Sequence, residues 1–395
     1  MIPYIIALLL PMGLLLYVDN YVPKRRIAVI LTIFALLIPC VIAGGRDSGI
    51  GLDTLGYGDQ VFNIAVKYTW DWNGFLDEVN SSGFDIGIAF SSVAFCAVSL
   101  TGSRFIYYLI IECLILFPLY HAFRILAPGK CRALSYLIIF LVFYMLGLSA
   151  MRQFIALSFG FLSVATLISG KNSFKSLIIS LIWAVISILF HNSAAFILIC
   201  HIGWILLVRY DDGVPKLRKY ALICLPAIGV MVVLISFFID PIFRIVTRVI
   251  PIFERYASYL ATSGTSDGFT FFIFFGVMIA SAAYRGREFF KTKDPVFIFV
   301  MSFGILSLVI YSLQSYNEEF IRLSYYFWPF VAVSLPISVS ENKSKESERG
   351  TSRDAIAEMM FLVFCAGQFT WWYVINDYWN CLPYSSLFFE CIFRY

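Results

Sequence analysis

The chain has 395 residues, of which 60% are hydrophobic, 18% aromatic and only 14% charged, with a mean hydropathy of +0.84. That composition excludes a soluble domain, and the net charge of +4 forms no basic patch for nucleic acid. The reading is an all-α, polytopic integral membrane protein forming one domain over 1–395.

A crossing helix needs about 20 apolar residues. Roughly twelve to thirteen such stretches, crossing or re-entrant, fit between short polar breaks. In chain order they fall near 2–18, 27–43, 86–101, 105–126, 133–149, 154–169, 174–191, 194–208, 220–239, 269–283, 295–312, 323–339 and 356–375. The first has no basic region before it and no small-residue cleavage site after it, so it reads as a retained span.

The breaks Lys24-Arg25-Arg26, Lys171 to Lys175, Arg209 to Lys219 and Arg285 to Lys293 are cytoplasmic by the positive-inside rule, as is the hydrophilic loop 341–354. The remaining ends face outward: 45–85, the turn from Ser149 to Gln153, His191, 240–268, Gln314 to Arg322 and the tail from Asn376. The large outer loop 45–85, between the second and third spans, sets two basic residues against seven acidic ones, as a translocated loop should. Three ordinary crossings between 86 and 149, however, would put Arg152 and the lysines near 171 on the wrong sides. The expected remedy is a re-entrant pair of short helices at 133–149, tolerated where protein lines the backbone. The alternative is a stretch between 86 and 126 that does not cross fully.

Nine cysteines are scattered, mostly within apolar runs, with no CxxC or Cys/His spacing. They read as packing residues, and no metal or cofactor is expected. The polar outliers collect on the outer side. Arg46 opens a run rich in glycine and carboxylate, Gly44 to Asp59, where glycines permit close backbone approach to a ligand, although such a run is also an ordinary solvated turn. Arg152-Gln153 opens the span at 154, where an arginine also snorkels to headgroups. His191 sits between two spans, and Arg322 lies beside an aromatic run. Ionisable groups at membrane depth are costly and usually functional. Arg46, Arg152 and Arg322, with Arg244, Arg248 or Arg255 as further candidates, are expected to converge on one face. Several arginines there suit a diphosphate, because the guanidinium fork bonds phosphate bidentately and stays charged.

Four patterns carry a resemblance: Arg46 with Gly51-x-Asp53-x-x-x-Tyr57 and Phe62; Met151-Arg152-Gln153-x-x-Ala156; Phe190-His191-x-Ser193; and Arg322-x-x-Tyr325-Tyr326, followed by Leu382-Pro383-Tyr384. Together they resemble the EpsG family, grouped with Wzy-type O-antigen and exopolysaccharide polymerases. Two features depart from its usual pattern: Leu52 stands where threonine is usual, and Arg46 precedes Gly51 by five positions.

The resemblance implies a metal-independent glycosyltransferase of the bacterial inner membrane. Acting at the outer leaflet, it would join polyprenyl-diphosphate-linked oligosaccharide repeat units into O-antigen, capsule or exopolysaccharide. Contact with membrane lipid and association with a chain-length regulator and a flippase are implied by the family alone. Arg46, Arg152 and Arg322 are then expected to bind diphosphate and stabilise the leaving group, with Asp53 or His191 as acceptor base. Gln153, Tyr57 and Tyr325 would contact substrate. Tyr57, Tyr325, Tyr326, Trp371 and Trp372 would stack on sugar or lipid, a placement that an interfacial aromatic belt explains equally well. A flippase or transporter of the same lipids, which would favour internal repeats not found here, and a membrane acyltransferase with a histidine base are the competing readings.

Overall fold

A computed structural model describes residues 1–83, 86–170, 173–209, 268–315, 319–341 and 352–386. The expected span at 220–239, Arg244, Arg248, Arg255 and most of the loop 341–354 lie outside them. The described residues are helical without strands, and eight helices are long and apolar enough to cross a membrane. Four shorter apolar helices accompany them. The chain is a multi-pass, all-α membrane protein. It divides into two compact units, Met1–Ala195 with Cys365–Tyr395, and Phe196–Phe364.

The first unit contains α1 (Ile2–Tyr21), α2 (Arg25–Gly44), α3 (Asp59–Lys67), α4 (Trp72–Ser81), α5 (Ile88–Thr101), α6 (Arg104–Leu126), α7 (Arg132–Ser149), α8 (Met151–Ser169) and α9 (Phe174–Phe190). Its core is α8, 89% buried over its apolar window, packed against α6 and α9, whereas α1 is only 33% buried and turns its apolar surface to lipid. Small residues let these helices approach closely. Ser187 of α9 donates to the Ala156 carbonyl of α8 at 2.5 Å, and Ser180 donates to the Ser163 carbonyl at 2.8 Å. Gly44 ends α2 where a Cβ would lie 2.9 Å from the Phe105 carbonyl of α6.

The expected re-entrant pair at 133–149 is not found. Arg132–Ser149 is one apolar helix of 18 residues, widened at 140–144 by a π-type turn but not broken. The short element is instead α5, whose 14 residues rise roughly 21 Å, less than the roughly 30 Å of a bilayer core. Both of its ends meet segments read as outer. At Gly87, just before it, a Cβ would lie 2.8 Å from the Leu189 carbonyl near the end of α9. At the far end the Trp70 N–H donates to Ser99 Oγ at 3.4 Å, and Arg104 follows beside Arg46. With α5 held on the outer side, α6 returns inward and α7 outward. The parity then closes, with Arg152 and His191 outside and the lysines near 171 inside. Contacts at the opposite face agree: Asp19, near the end of α1, accepts Arg132 Nη1 and the Arg132 N–H, both at 2.8 Å.

In the second unit, aromatic pairs fill the core, including Phe271 stacked on Tyr311 and Phe275 tilted against Trp328. The segments read as cytoplasmic join each other there. Arg285 pairs with Glu358 at 2.6 Å, and Arg287 with Asp354 at 2.5 Å.

Candidate functional site

The outer loop folds back onto the start of α8. Gly51 adopts φ +83°, and its Cα faces the Leu148 carbonyl so closely that any Cβ would collide with it. Glycine is therefore required at both counts. The turn lets the Leu52 N–H donate to Ser149 Oγ at 3.0 Å. The next residues, Thr54–Gly58, make a single π-type turn that brings Asp53 and Tyr57 onto one side. Tyr57 donates its hydroxyl to Asp53 Oδ2 at 2.5 Å. The Arg152 guanidinium lies over the Tyr57 ring, 4.5 Å from its centroid, and the Arg152 N–H reaches the Tyr57 oxygen at 3.5 Å. Tyr57 is 8% exposed and packs edge-on against Phe90 of α5. Burial, then the neighbouring Asp53 charge, pushes its phenol well above the ordinary value, so Tyr57 stays a neutral donor.

A second layer lies directly behind. Arg46 is wholly buried, with its guanidinium 4.5 Å from the Tyr108 ring centroid and Nη2 3.1 Å from Met151 Sδ. Arg104 also lies over Tyr108, at 4.6 Å. It donates to both Asp59 oxygens, at 2.7 and 3.2 Å, and to the Arg46 carbonyl at 2.6 Å. Tyr108 donates to Asp59 Oδ1 at 2.7 Å. Burial alone would raise the Asp59 carboxyl, but hydrogen bonds from Arg104, Ser48 and Tyr108 outweigh it and hold the group below the ordinary carboxylate value.

His191 caps the end of α9, with Nδ1 2.7 Å from Ser193 Oγ. One turn earlier, Ser187 is bonded to Ala156, which stands one turn beyond Arg152. His191 and Arg152 thus occupy adjoining helix ends. Gln153 is buried beside them, at 5% exposure.

The family model for EpsG matches residues 29–386, nearly the whole chain and all four motif regions. The chain belongs to the EpsG family. No curated protein and no solved structure matches it.

The EpsG-type motif residues distribute unevenly over the fold. Asp53, Tyr57 and Arg152 form one contact cluster, with Arg46 joined to it through Met151. Arg322 and Tyr325 belong to the second unit. Arg322 is exposed on Glu319–Tyr325, while Tyr325 is 1% exposed and packs edge-on against Trp328 at 4.6 Å. Tyr326 and Trp372 are likewise buried. Arg104, Asp59 and Tyr108 carry the second layer without having been singled out. Their signal was the spacing of Arg104 and Tyr108 on one face of α6, opposite an acidic loop.

Proposed function

We propose that this EpsG-family protein is a membrane glycosyltransferase that joins polyprenyl-diphosphate-linked oligosaccharide repeat units into surface polysaccharide at the outer leaflet of the bacterial inner membrane. Membership of a Wzy-type polymerase family and the multi-pass helical fold support that class of activity. The observation that carries it is the Arg152–Tyr57–Asp53 cluster, which sets a cation, an aromatic face and a carboxylate side by side at a helix end.

In this reading the acceptor sugar hydroxyl attacks the anomeric carbon of the donor glycan. The bond from that carbon to the diphosphate oxygen breaks, and the diphosphate keeps the electron pair. Arg152 stabilises the charge that develops there, with Arg46 adding its field from behind. The hydroxyl proton passes to Asp53, or to His191 on the adjoining helix end. Tyr57 holds both Asp53 and the guanidinium, and Gln153, next to Arg152, completes the proposed substrate-contact set of the first unit.

The test is deletion of the gene in its host, with complementation by wild type or Arg152→Ala and sizing of the surface glycan on a gel. A single-repeat product in the deletion and in Arg152→Ala, restored to a ladder by wild type, supports polymerisation through Arg152. Loss of even the single-repeat glycan would favour transport. An unchanged ladder would point to glycan modification.

A further inference from the structure

Glu112 of α6 is wholly buried, one helical turn beyond Tyr108 and two beyond Arg104. Neither of its carboxyl oxygens has a hydrogen-bond partner among the described residues. The titratable groups around it come from all sides of the first unit: Arg46 from the outer loop, Cys40 from α2, Cys113 from its own helix, Tyr136 and Tyr144 from α7, and Cys381 from the C-terminal segment. At Gly147 of α7, a Cβ would stand 3.9 Å from Glu112 Oε1, so the smallest residue faces the carboxyl.

Arg46 is the one basic group in this set, yet its contacts are directed elsewhere. Its guanidinium lies over Tyr108, Nη1 donates to the Ala43 carbonyl at 3.4 Å, and Nη2 lies beside Met151 Sδ. A carboxylate stripped of water and of donors is among the costliest groups to bury, and it escapes that cost by holding a proton. An acid so placed inside a membrane-crossing helix calls for a functional explanation.

We propose that Glu112 is a proton-binding switch behind the anion site. With its proton bound, Glu112 is neutral and the positive charge of Arg46 remains available to attract a diphosphate. With the proton lost to water, the carboxylate cancels that charge and the site weakens. No other bond changes. The inference rests on reading Arg46 and Arg152 as diphosphate-binding residues.

Three measurements test it together on the full-length protein. Infrared difference spectroscopy in lipid nanodiscs compares wild type with Glu112→Gln across pH. Wild type is also treated with dicyclohexylcarbodiimide, in which the O–H of a protonated apolar carboxyl adds across the C=N bond, and the adduct is mapped by peptide mass. Polymer formation is followed over the same pH range. The expected result is an acid carbonyl band absent from Glu112→Gln, fading as pH rises in step with the adduct on Glu112. Wild-type polymer formation should fall severalfold over that range, while Glu112→Gln keeps its neutral-pH output.

Absence of both band and adduct at every pH overturns the proposal, because Glu112 is then ionised throughout. Equal alkaline loss in wild type and Glu112→Gln overturns the link to Arg46. Should Glu112→Gln fail to insert, the adduct on wild type still decides whether a proton is held. Full polymer from both Arg46→Ala and Arg152→Ala would instead sink the diphosphate reading, leaving band and adduct as they were.

Discussion

Tyr57 is the residue on which the proposed site turns, since one side chain holds Asp53 by its hydroxyl and Arg152 by its ring. Tyr57→Phe keeps the ring under Arg152 but removes the bond to Asp53, together with the long contact from the Arg152 N–H. A hydrogen bond to a charged group is worth about 1.5–3 kcal/mol, so polymer formed per unit protein should drop roughly ten- to hundredfold. Tyr57→Leu removes the ring as well and should cost more. Wild-type output from both would show that neither contact matters. Asp59 makes a different prediction. Its carboxyl is held below the ordinary value, so the stability it adds through Arg104 is present above the ordinary carboxylate range and fades as pH falls through its own lower value. The melting difference between wild type and Asp59→Asn should therefore be largest near neutrality and shrink in acid. A difference that persists unchanged in acid would mean the clamp acts by shape, not charge. Of these residues, Asp53, Tyr57 and Arg152 were legible from motif spacing. Arg104 was not, because a basic residue at the start of an apolar helix looks the same whether it snorkels to headgroups or closes on a carboxylate distant in sequence.

Among the elements, α5 shows where hydropathy stops being informative. Its 14 residues are apolar on all sides, so composition alone made it another span. What marks it as non-crossing is tertiary: Gly87 against the end of α9 and Trp70 against Ser99. The longer spans were legible because burying 20 apolar residues in lipid depends on composition alone, whereas sidedness depends on which ends meet. Hydropathy therefore points to α7 as the irregular element, whereas the contacts put the irregularity at α5. In a cysteine-free background, Ile88→Cys and Leu100→Cys sit at the two exposed ends of α5, with parent residues 56% and 73% exposed. A membrane-impermeant maleimide should label both in right-side-out preparations and neither in sealed inverted vesicles. Labelling of Leu100→Cys from the cytoplasmic side alone would restore α5 as a crossing helix and reopen the parity.

At the scale of the whole molecule, the loop that carries Arg46 and Gly51 is closed by the far end of the chain. The Gly51 N–H donates to the Asn380 carbonyl at 2.8 Å, and the Asp47 N–H to the Ser385 carbonyl at 3.1 Å. Tyr384 donates to the Ile42 carbonyl at 2.7 Å, Tyr4 to the Cys381 carbonyl at 2.8 Å, and Ser386 to the Gly45 carbonyl. Each bond is modest, about 0.5–1.5 kcal/mol net, but three of them act on 45–51, a short segment whose glycine backbone has little rigidity of its own, while the bonds to Ile42 and Tyr4 tie the same strap to α2 and α1. Ending the chain after Trp379 removes all five while leaving the helices of the first unit their packing. The truncated protein should still reach the membrane at near-normal level. Its loop 45–58 should become sensitive to protease added from outside, and the glycan ladder should collapse to single repeats. A full ladder from the truncated chain would show that the loop holds its shape without the strap. A collapsed ladder with an unchanged protease pattern would place the C-terminal segment in the reaction itself and not in support of the loop.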